Sequence, residues 1–244
     1  MQVYRPFPAP KAITFDLDDT LYDNRPVIRR AEQAMYDWLA SEHPVTNGMG
    51  TARWQALKQA VAQVDPMLRH DVTQWRFEYL KIGLMQFGYS LAKAEQAAQV
   101  GVAHVLAVRN QVDVPAETHR VLQALAARVP LVAITNGNVD VEKIGLAPYF
   151  SAVFMAGRDG MAKPEPALFV QAARHLALPV EVILHVGDHP VTDVGGAVLN
   201  GFRACWFNDQ ARQWGDDARA QWQPDVEITA LAQLLPLLDG DNGK

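Results

Sequence analysis

The stretch that most constrains this chain is Ala12-Ile13-Thr14-Phe15-Asp16-Leu17-Asp18-Asp19-Thr20-Leu21. It starts as an apolar run of strand formers and breaks off in acid. Such a run, bounded by turn chemistry, predicts a short buried strand over about residues 12–16. Three carboxylates, Asp16, Asp18 and Asp19, then crowd into a short turn of chain. Like charges this close repel, so the pattern makes sense when something positive sits among them. A solvated acidic turn is the plainer alternative, and the residues at the ends of the other strands decide between the two.

From about residue 24 to 110 the texture is helical. Ile28, Ala31, Met35 and Trp38 fall at helical intervals, as do Trp54, Leu57, Val61 and Val64, and two more helices are expected over 71–87 and 91–110. Breakers separate them: His43-Pro44 with Asn47-Gly48, then Asp65-Pro66, then Gly88. Beyond Pro115 strands and helices alternate. Helices are expected at 116–128, 139–144, 166–176 and 190–199. Strands are expected at 131–135, 152–155, 181–186, around Cys205 and at 225–228. Apolar strands alternating with helices predict an α/β fold: a Rossmann-like, doubly wound parallel sheet covered on both faces. The expected organisation is a core from residues 1–23 and 111–244, with residues 24–110 inserted as a helical cap. Residues 1–11, rich in proline, read as a leader laid over the surface.

With 244 residues, about half of them hydrophobic, the chain has enough material for a sizeable core. A formal net charge of -5 with no Lys/Arg block argues against a nucleic-acid partner. No apolar stretch is long enough to cross a bilayer, and the early prolines do not suit a signal peptide, so a cytoplasmic location is expected, with no membrane association. No obligate protein partner is implied. The single cysteine, Cys205, reads as a packed core thiol on a strand.

In a doubly wound sheet, ligands bind beyond the carboxyl ends of the strands. There the sequence places Asp16 and Asp18, then Thr135, Asn136 and Gly137, then Lys163, then Gly187, Asp188 and Asp193. Taken singly, each is an ordinary turn or loop residue. Taken together they suit phosphoryl transfer. Asp16 would be the nucleophile and Asp18 the proton carrier. Mg²⁺ would be held by Asp16, the backbone carbonyl of Asp18, and Asp188. Lys163, Thr135 and the backbone N–H of Asn136 would bind phosphate. Asp193 would support Lys163 or a metal-bound water. The expected ligand is a small phosphorylated metabolite.

At these positions the sequence resembles the haloacid dehalogenase superfamily of aspartate-nucleophile phosphatases. Asp16-Leu17-Asp18-Asp19-Thr20 matches its first motif, Thr135 its second, Lys163 its third, and Gly187-Asp188 with Asp193 its fourth. The resemblance implies a Rossmann-like core with a helical cap inserted after the first motif. Members that remove halogen from carbon lack the second Asp of that motif. Asp18 is present, which implies a phosphatase. Thr14 to Pro26, His70-Asp71-Val72-Thr73, Trp75-Arg76 and Ala133 to Asn138 further resemble the bacterial YigB-type phosphatases. That group is associated with FMN and with 5-amino-6-(5-phospho-D-ribitylamino)uracil of riboflavin synthesis.

Asn24 and Arg25, at the cap entrance, are candidates for substrate contact or for fixing the hinge. Trp75 and Arg76 could stack on a ring, although Trp75, Tyr79 and Ile82 also fit helical packing. His70 is a poor metal ligand here, because the acids already supply hard oxygens. Three alternatives stand beside the leading reading: a phosphatase of a sugar phosphate or nucleotide, a phospho-accepting signalling module, and a non-catalytic binding protein. A nucleotide-binding glycine loop is absent from the sequence.

Overall fold

The computed structural model describes residues 1–240. The chain divides into two compact units. One comprises Met1–Asp23, Asp113–Gly137 and Val141–Lys244, of which 241–244 lie outside the described residues; the other comprises Asn24–Val112 and Asn138–Asp140.

The first unit is built on a sheet of β1 (Gln2–Val3), β2 (Ala12–Phe15), β3 (Leu131–Thr135), β4 (Ala152–Met155), β5 (Ile183–Gly187), β6 (Arg203–Phe207) and β7 (Val226–Ile228). Its spatial order is β1-β7-β6-β5-β2-β3-β4. Every neighbouring pair is parallel except β1 with β7. β2, β3 and β5 are buried along their whole length, which is why they read as unbroken apolar runs rather than alternating ones. The order reverses at β2, whose two neighbours β5 and β3 both follow it in sequence, so a crevice opens at its carboxyl end.

The second unit holds α1 (Arg25–Glu42), α2 (Thr51–Val64), α3 (Val72–Gln86) and α4 (Leu91–Arg109). Three further helices, α5 (Ala116–Ala126), α6 (Pro166–Leu176) and α7 (Gly196–Leu199), belong to the first unit. Phe169 and Leu168 of α6 pack with Val132, Ile134, Ile183 and Trp206 in one apolar layer over the sheet. A fully buried side chain of that size contributes about 1.5–3 kcal/mol.

Four expectations are corrected. The sheet is the expected α/β one and mostly parallel; its antiparallel β1–β7 pair arises because residues 1–11 are not merely a surface leader. Gln2–Val3 pairs antiparallel with β7, the Tyr4 hydroxyl donates to Glu227 Oε2 at 2.6 Å, and Phe7 is buried, so the segment covers what would be an open edge. Residues 139–144 form no helix. The chain turns there, with Leu146 N–H donating to the Val141 carbonyl and Gly145 at φ +74°, and the stretch is too short to offset the cost of helix nucleation. The expected helix over 190–199 is a π-helical turn, Pro190–Gly195, that passes into α7.

The fourth correction concerns the helical unit. Its apolar face on α1 runs through Val27, Ala31, Met35, Trp38 and Leu39, leaving Ile28 exposed, and Val64 at the end of α2 is 89 % exposed. The core is fitted around tryptophan rings. A Cβ on Gly83 of α3 would lie 2.2 Å from the Trp54 ring, so only glycine lets that ring close on the helix. Trp54, Tyr79, Leu80, Leu84, Ala94 and Val105 belong to the same buried cluster.

Candidate active site

β2 ends at Phe15, and the Asp16 N–H continues the ladder to the Val186 carbonyl at 2.9 Å. This pins the first acidic residue at the sheet edge. The chain then turns sharply: Leu21 N–H returns to the Leu17 carbonyl, and Asp19 takes the left-handed conformation at φ 59°. Aspartate is among the few non-glycine residues that accept this. Thr20 braces the turn. Its hydroxyl lies 3.4 Å from Asp16 Oδ2 and accepts the Asp188 N–H at 3.1 Å. Asp18 Oδ1 accepts from the buried Tyr22 hydroxyl at 2.5 Å.

Lys163, on the loop between β4 and α6, is 3 % exposed. Its Nζ donates to Asp16 Oδ1 at 2.7 Å, to the Ile134 carbonyl at 2.6 Å and to Asp193 Oδ1 at 2.7 Å. An ammonium has three protons, so all are used. Burial alone would lower the Lys163 pKa, but Asp16 and Asp193 outweigh it and hold the amine charged. The Asn136 side chain fixes this loop. Its amide donates to the Lys163 carbonyl at 2.9 Å and accepts the Lys163 N–H at 2.7 Å. The Lys163–Pro164 peptide is cis. Thr135 is fully buried, and its hydroxyl accepts the Gly137 N–H at 2.9 Å.

Asp193 lies on the π-helical turn. Its Oδ1 meets Lys163 and its Oδ2 accepts the His189 N–H at 2.9 Å. Burial raises its proton affinity, yet Lys163 and His185 together hold the carboxyl well below the usual carboxylate range. Asp16 and Asp188 go the other way. Burial, then repulsion from Asp193, pushes Asp188 up to about 7, against the pull of Arg212. Burial also drives Asp16 upward, with Asp193 and Asp18 adding to it and Lys163 opposing.

Asp16, Asp188 and Asp193 each offer an oxygen within 4.8 Å of the others. Asp193 is bound on both oxygens by close donors, Lys163 at 2.7 Å and the His189 N–H at 2.9 Å, whereas the contacts of Asp16 Oδ2 and Asp188 Oδ2 are longer, 3.4 Å to the Thr20 hydroxyl and 3.4 Å to Arg212. Two carboxyls whose proton affinity is raised by burial and by neighbouring acids, and which offer hard oxygen donors, fit Mg²⁺. The structure thus brings Asp16, Lys163, Asp188 and Asp193 into one cluster, with Thr135 at the end of β3 and Asp18 and Asn136 on the adjoining turns.

Three polar residues packed around the cluster escape the sequence reading. His185 on β5 lies behind Asp193, with Thr14 on its other side. Both are polar residues inside buried strands, and that oddity is the one signal the sequence carries for them. Arg212 has no such signal. Its Nη2 donates to the Asp188 carbonyl at 2.8 Å, which the Trp206 indole N–H also reaches at 2.8 Å.

In the helical unit, the Trp75 indole N–H donates to the Lys58 carbonyl at 2.7 Å, and the Lys58 ammonium lies 4.9 Å from the ring centroid. The Arg69 guanidinium is 5.9 Å from the same centroid. Trp75 packs against the core of the bundle. Among the described residues no helix is long and apolar enough to cross a membrane. Cys205 is buried on β6, and burial pushes its thiol up.

Comparison with known proteins agrees with this geometry. The chain is 41 % identical to the 5-amino-6-(5-phospho-D-ribitylamino)uracil phosphatase YigB of Escherichia coli K12, over 98 % of this chain and 100 % of that protein. It is 26 % identical to the glyceraldehyde 3-phosphate phosphatase of Pyrococcus furiosus, over 96 % and 95 % of the two chains. Among solved structures, a 2-haloacid dehalogenase from Pseudomonas syringae pv. Tomato DC3000 superposes with a TM-score of 0.88 at 38 % identity, covering 94 % of this chain and 98 % of the other. Residues 10–201 match the haloacid dehalogenase-like hydrolases, and the chain belongs to that family of enzymes.

Proposed function

We propose that this phosphatase hydrolyses the phosphomonoester of 5-amino-6-(5-phospho-D-ribitylamino)uracil, through a phosphorylated Asp16. The observation that carries the chemistry is the Lys163 ammonium set between Asp16 and Asp193 at the sheet edge, 2.7 Å from each. The likeness to the Escherichia coli phosphatase, which runs the length of both chains, supports the substrate.

Lys163 occupies Asp16 Oδ1, so Oδ2 is the oxygen that attacks phosphorus. The bond from phosphorus to the ribityl oxygen breaks as the new bond forms. Asp18 gives its proton to the departing oxygen. It then takes a proton from the water that attacks the phosphorylated Asp16, releasing phosphate and restoring both carboxyls. Throughout, Lys163, Thr135 and the Asn136 N–H balance the negative charge on the phosphoryl oxygens. Asp16, the Asp18 carbonyl and Asp188 would hold Mg²⁺, which supplies positive charge against repulsion between carboxylate and phosphate.

The likeness to a structure described as a dehalogenase raises a second reading. Halide needs no proton to leave, whereas an alkoxide does. Asp18, which the dehalogenating members lack, therefore favours phosphate ester over carbon–halogen bond. The helical unit, as a cap, would set the choice of substrate, and the setting this reading implies is the cytoplasm.

The test is phosphate release across the ribitylamino-uracil phosphate, FMN, sugar phosphates and nucleotides, with and without Mg²⁺. The highest kcat/KM is expected for the ribitylamino-uracil phosphate, with FMN next, and no turnover by D16N. Best activity on an unrelated sugar phosphate would overturn the substrate. Turnover by D16N would overturn the nucleophile.

A further inference from the structure

Thr14 and His185 sit directly opposite one another on the parallel strands β2 and β5. Both are buried, in strands whose other side chains are apolar. Thr14 Oγ1 lies 2.8 Å from His185 Nδ1. On its other side, His185 Nε2 lies 3.4 Å from Asp193 Oδ1, the oxygen that also receives Lys163. Phe169 packs edge-on against the imidazole, its centroid 5.1 Å away, and holds the ring in place.

The proton inventory of this row is closed. Asp193 accepts Lys163 and the His189 N–H and has no proton to give. Whatever faces it from the imidazole must be a donor, which puts the hydrogen on Nε2. Burial lowers the His185 pKa to about 4, so the ring is neutral and carries only one N–H. Nδ1 is then an acceptor, and the Thr14 hydroxyl supplies its hydrogen. The row runs Thr14 to His185 to Asp193 to Lys163 to Asp16, each contact with a defined donor.

The geometry points to His185 as a positioning residue of the reaction: in the Nε2–H tautomer, oriented by Thr14, it holds the Asp193 carboxylate in the rotamer that aims Lys163 at Asp16. It rests on the reading of Asp16 and Lys163 as reacting groups. A histidine suits the task because it donates a hydrogen bond without bringing a second positive charge. A cation there would compete with Lys163 for Asp193. Outer partners of this kind orient the groups that touch substrate, and losing one typically costs about 10–100-fold in activity.

Three variants separate positioning from core filling. Glutamine places its amide nitrogen about where Nε2 lies and keeps the donor to Asp193. Asparagine is shorter and keeps only the Thr14 side. Leucine fills space and donates nothing. H185Q is expected to retain turnover within about threefold of wild type, while H185N and H185L lose roughly tenfold or more in kcat with KM nearly unchanged. A core-filling residue would instead rank the three by stability, with kcat per folded molecule unaltered, and that result overturns the proposal.

The ¹⁵N signals of the His185 ring in wild-type protein at neutral pH need no variant to fold. A protonated Nε2 with an unprotonated Nδ1 is expected, and T14V is expected to weaken that preference. The opposite tautomer, or an imidazolium, overturns the proposal. Turnover by D16N would remove the catalytic reading while leaving the tautomer measurement standing, so the two failures are distinguishable.

Discussion

A Cβ on Gly187 would lie 2.3 Å from Cγ of Asp193. The end of β5 therefore runs against the carboxylate that holds Lys163, and the glycine is what lets Asp193 stand upright beneath it. Gly187→Ala is expected to force that carboxylate aside. Overpacking of this kind costs about 1–3 kcal/mol, and a displaced Asp193 releases Lys163 from Asp16. Stability in chemical denaturation and phosphate release should both fall. A G187A protein with unchanged stability and turnover would mean that Asp193 has room to move.

Lys163 is the counter-charge of a buried site. Lys163→Met keeps the side-chain length but leaves Asp16 and Asp193 facing one another without it. Removing one partner of a buried pair costs about 3–5 kcal/mol. The double variant K163M/D193N removes one of the stranded charges and is expected to be more stable than K163M alone, though equally inactive. Equilibrium unfolding of the two proteins measures the difference; identical stabilities would show that Asp193 gains nothing from the amine.

The parallel heart of the sheet and the four strand-end motifs are legible in the sequence because apolar runs and polar strand ends are local signals. The edge pairing of Gln2–Val3 with β7 is not, since those partners lie more than two hundred residues apart and neither has a distinctive pattern. The turn at 139–144, where a helix is expected, shows the limit of propensity in short segments. His185 is hidden because a histidine inside an apolar run reads as a core residue until its two ring nitrogens are seen to have partners. Arg212 reaches Asp188 only through the fold of the loop after β6. Trp75 is ambiguous in the sequence between packing and stacking, and its contacts with Lys58 and the bundle core are packing contacts.

In the helical unit, Gly83→Ala sets two effects against each other. Alanine favours helix by about 1 kcal/mol over glycine. Its Cβ would also enter the Trp54 ring, and overpacking costs about 1–3 kcal/mol. Trp54 is 2 % exposed and has little space to retreat, so steric cost is expected to win. A lower melting temperature for G83A is the expected result; a higher one would mean that the ring shifts freely.

The neutral, buried His185 makes stability depend on pH. Its folded pKa is lowered to about 4, while an unfolded histidine titrates near the ordinary value of about 6.5. As pH falls through that window the unfolded state takes up a proton that the folded state refuses. The stabilisation is fully present above about 6.5 and is lost on the way down to 4, amounting to about 3 kcal/mol. Unfolding free energies of wild type and H185Q measured from pH 7.5 to 4 should converge as pH falls. Parallel curves would show that the ring is not the group responsible.

Mg²⁺ should reveal its ligands through stability alone. Asp188 lies in a buried site where Asp193 and Asp19 repel it, and a cation that binds only the folded protein stabilises it by about 2.7 kcal/mol at a hundredfold excess over its dissociation constant. The melting temperature of wild type should therefore rise with added Mg²⁺. Asp188→Asn is expected to have two effects of opposite sign. Without metal it relieves repulsion, so the variant melts at or above the wild-type temperature. With metal it lacks an anionic ligand, so the rise is largely lost. The curves of the two proteins should cross as Mg²⁺ is added. If D188N responds to Mg²⁺ as strongly as wild type does, the cation is held elsewhere and Asp188 is only a buried acid paired with Arg212.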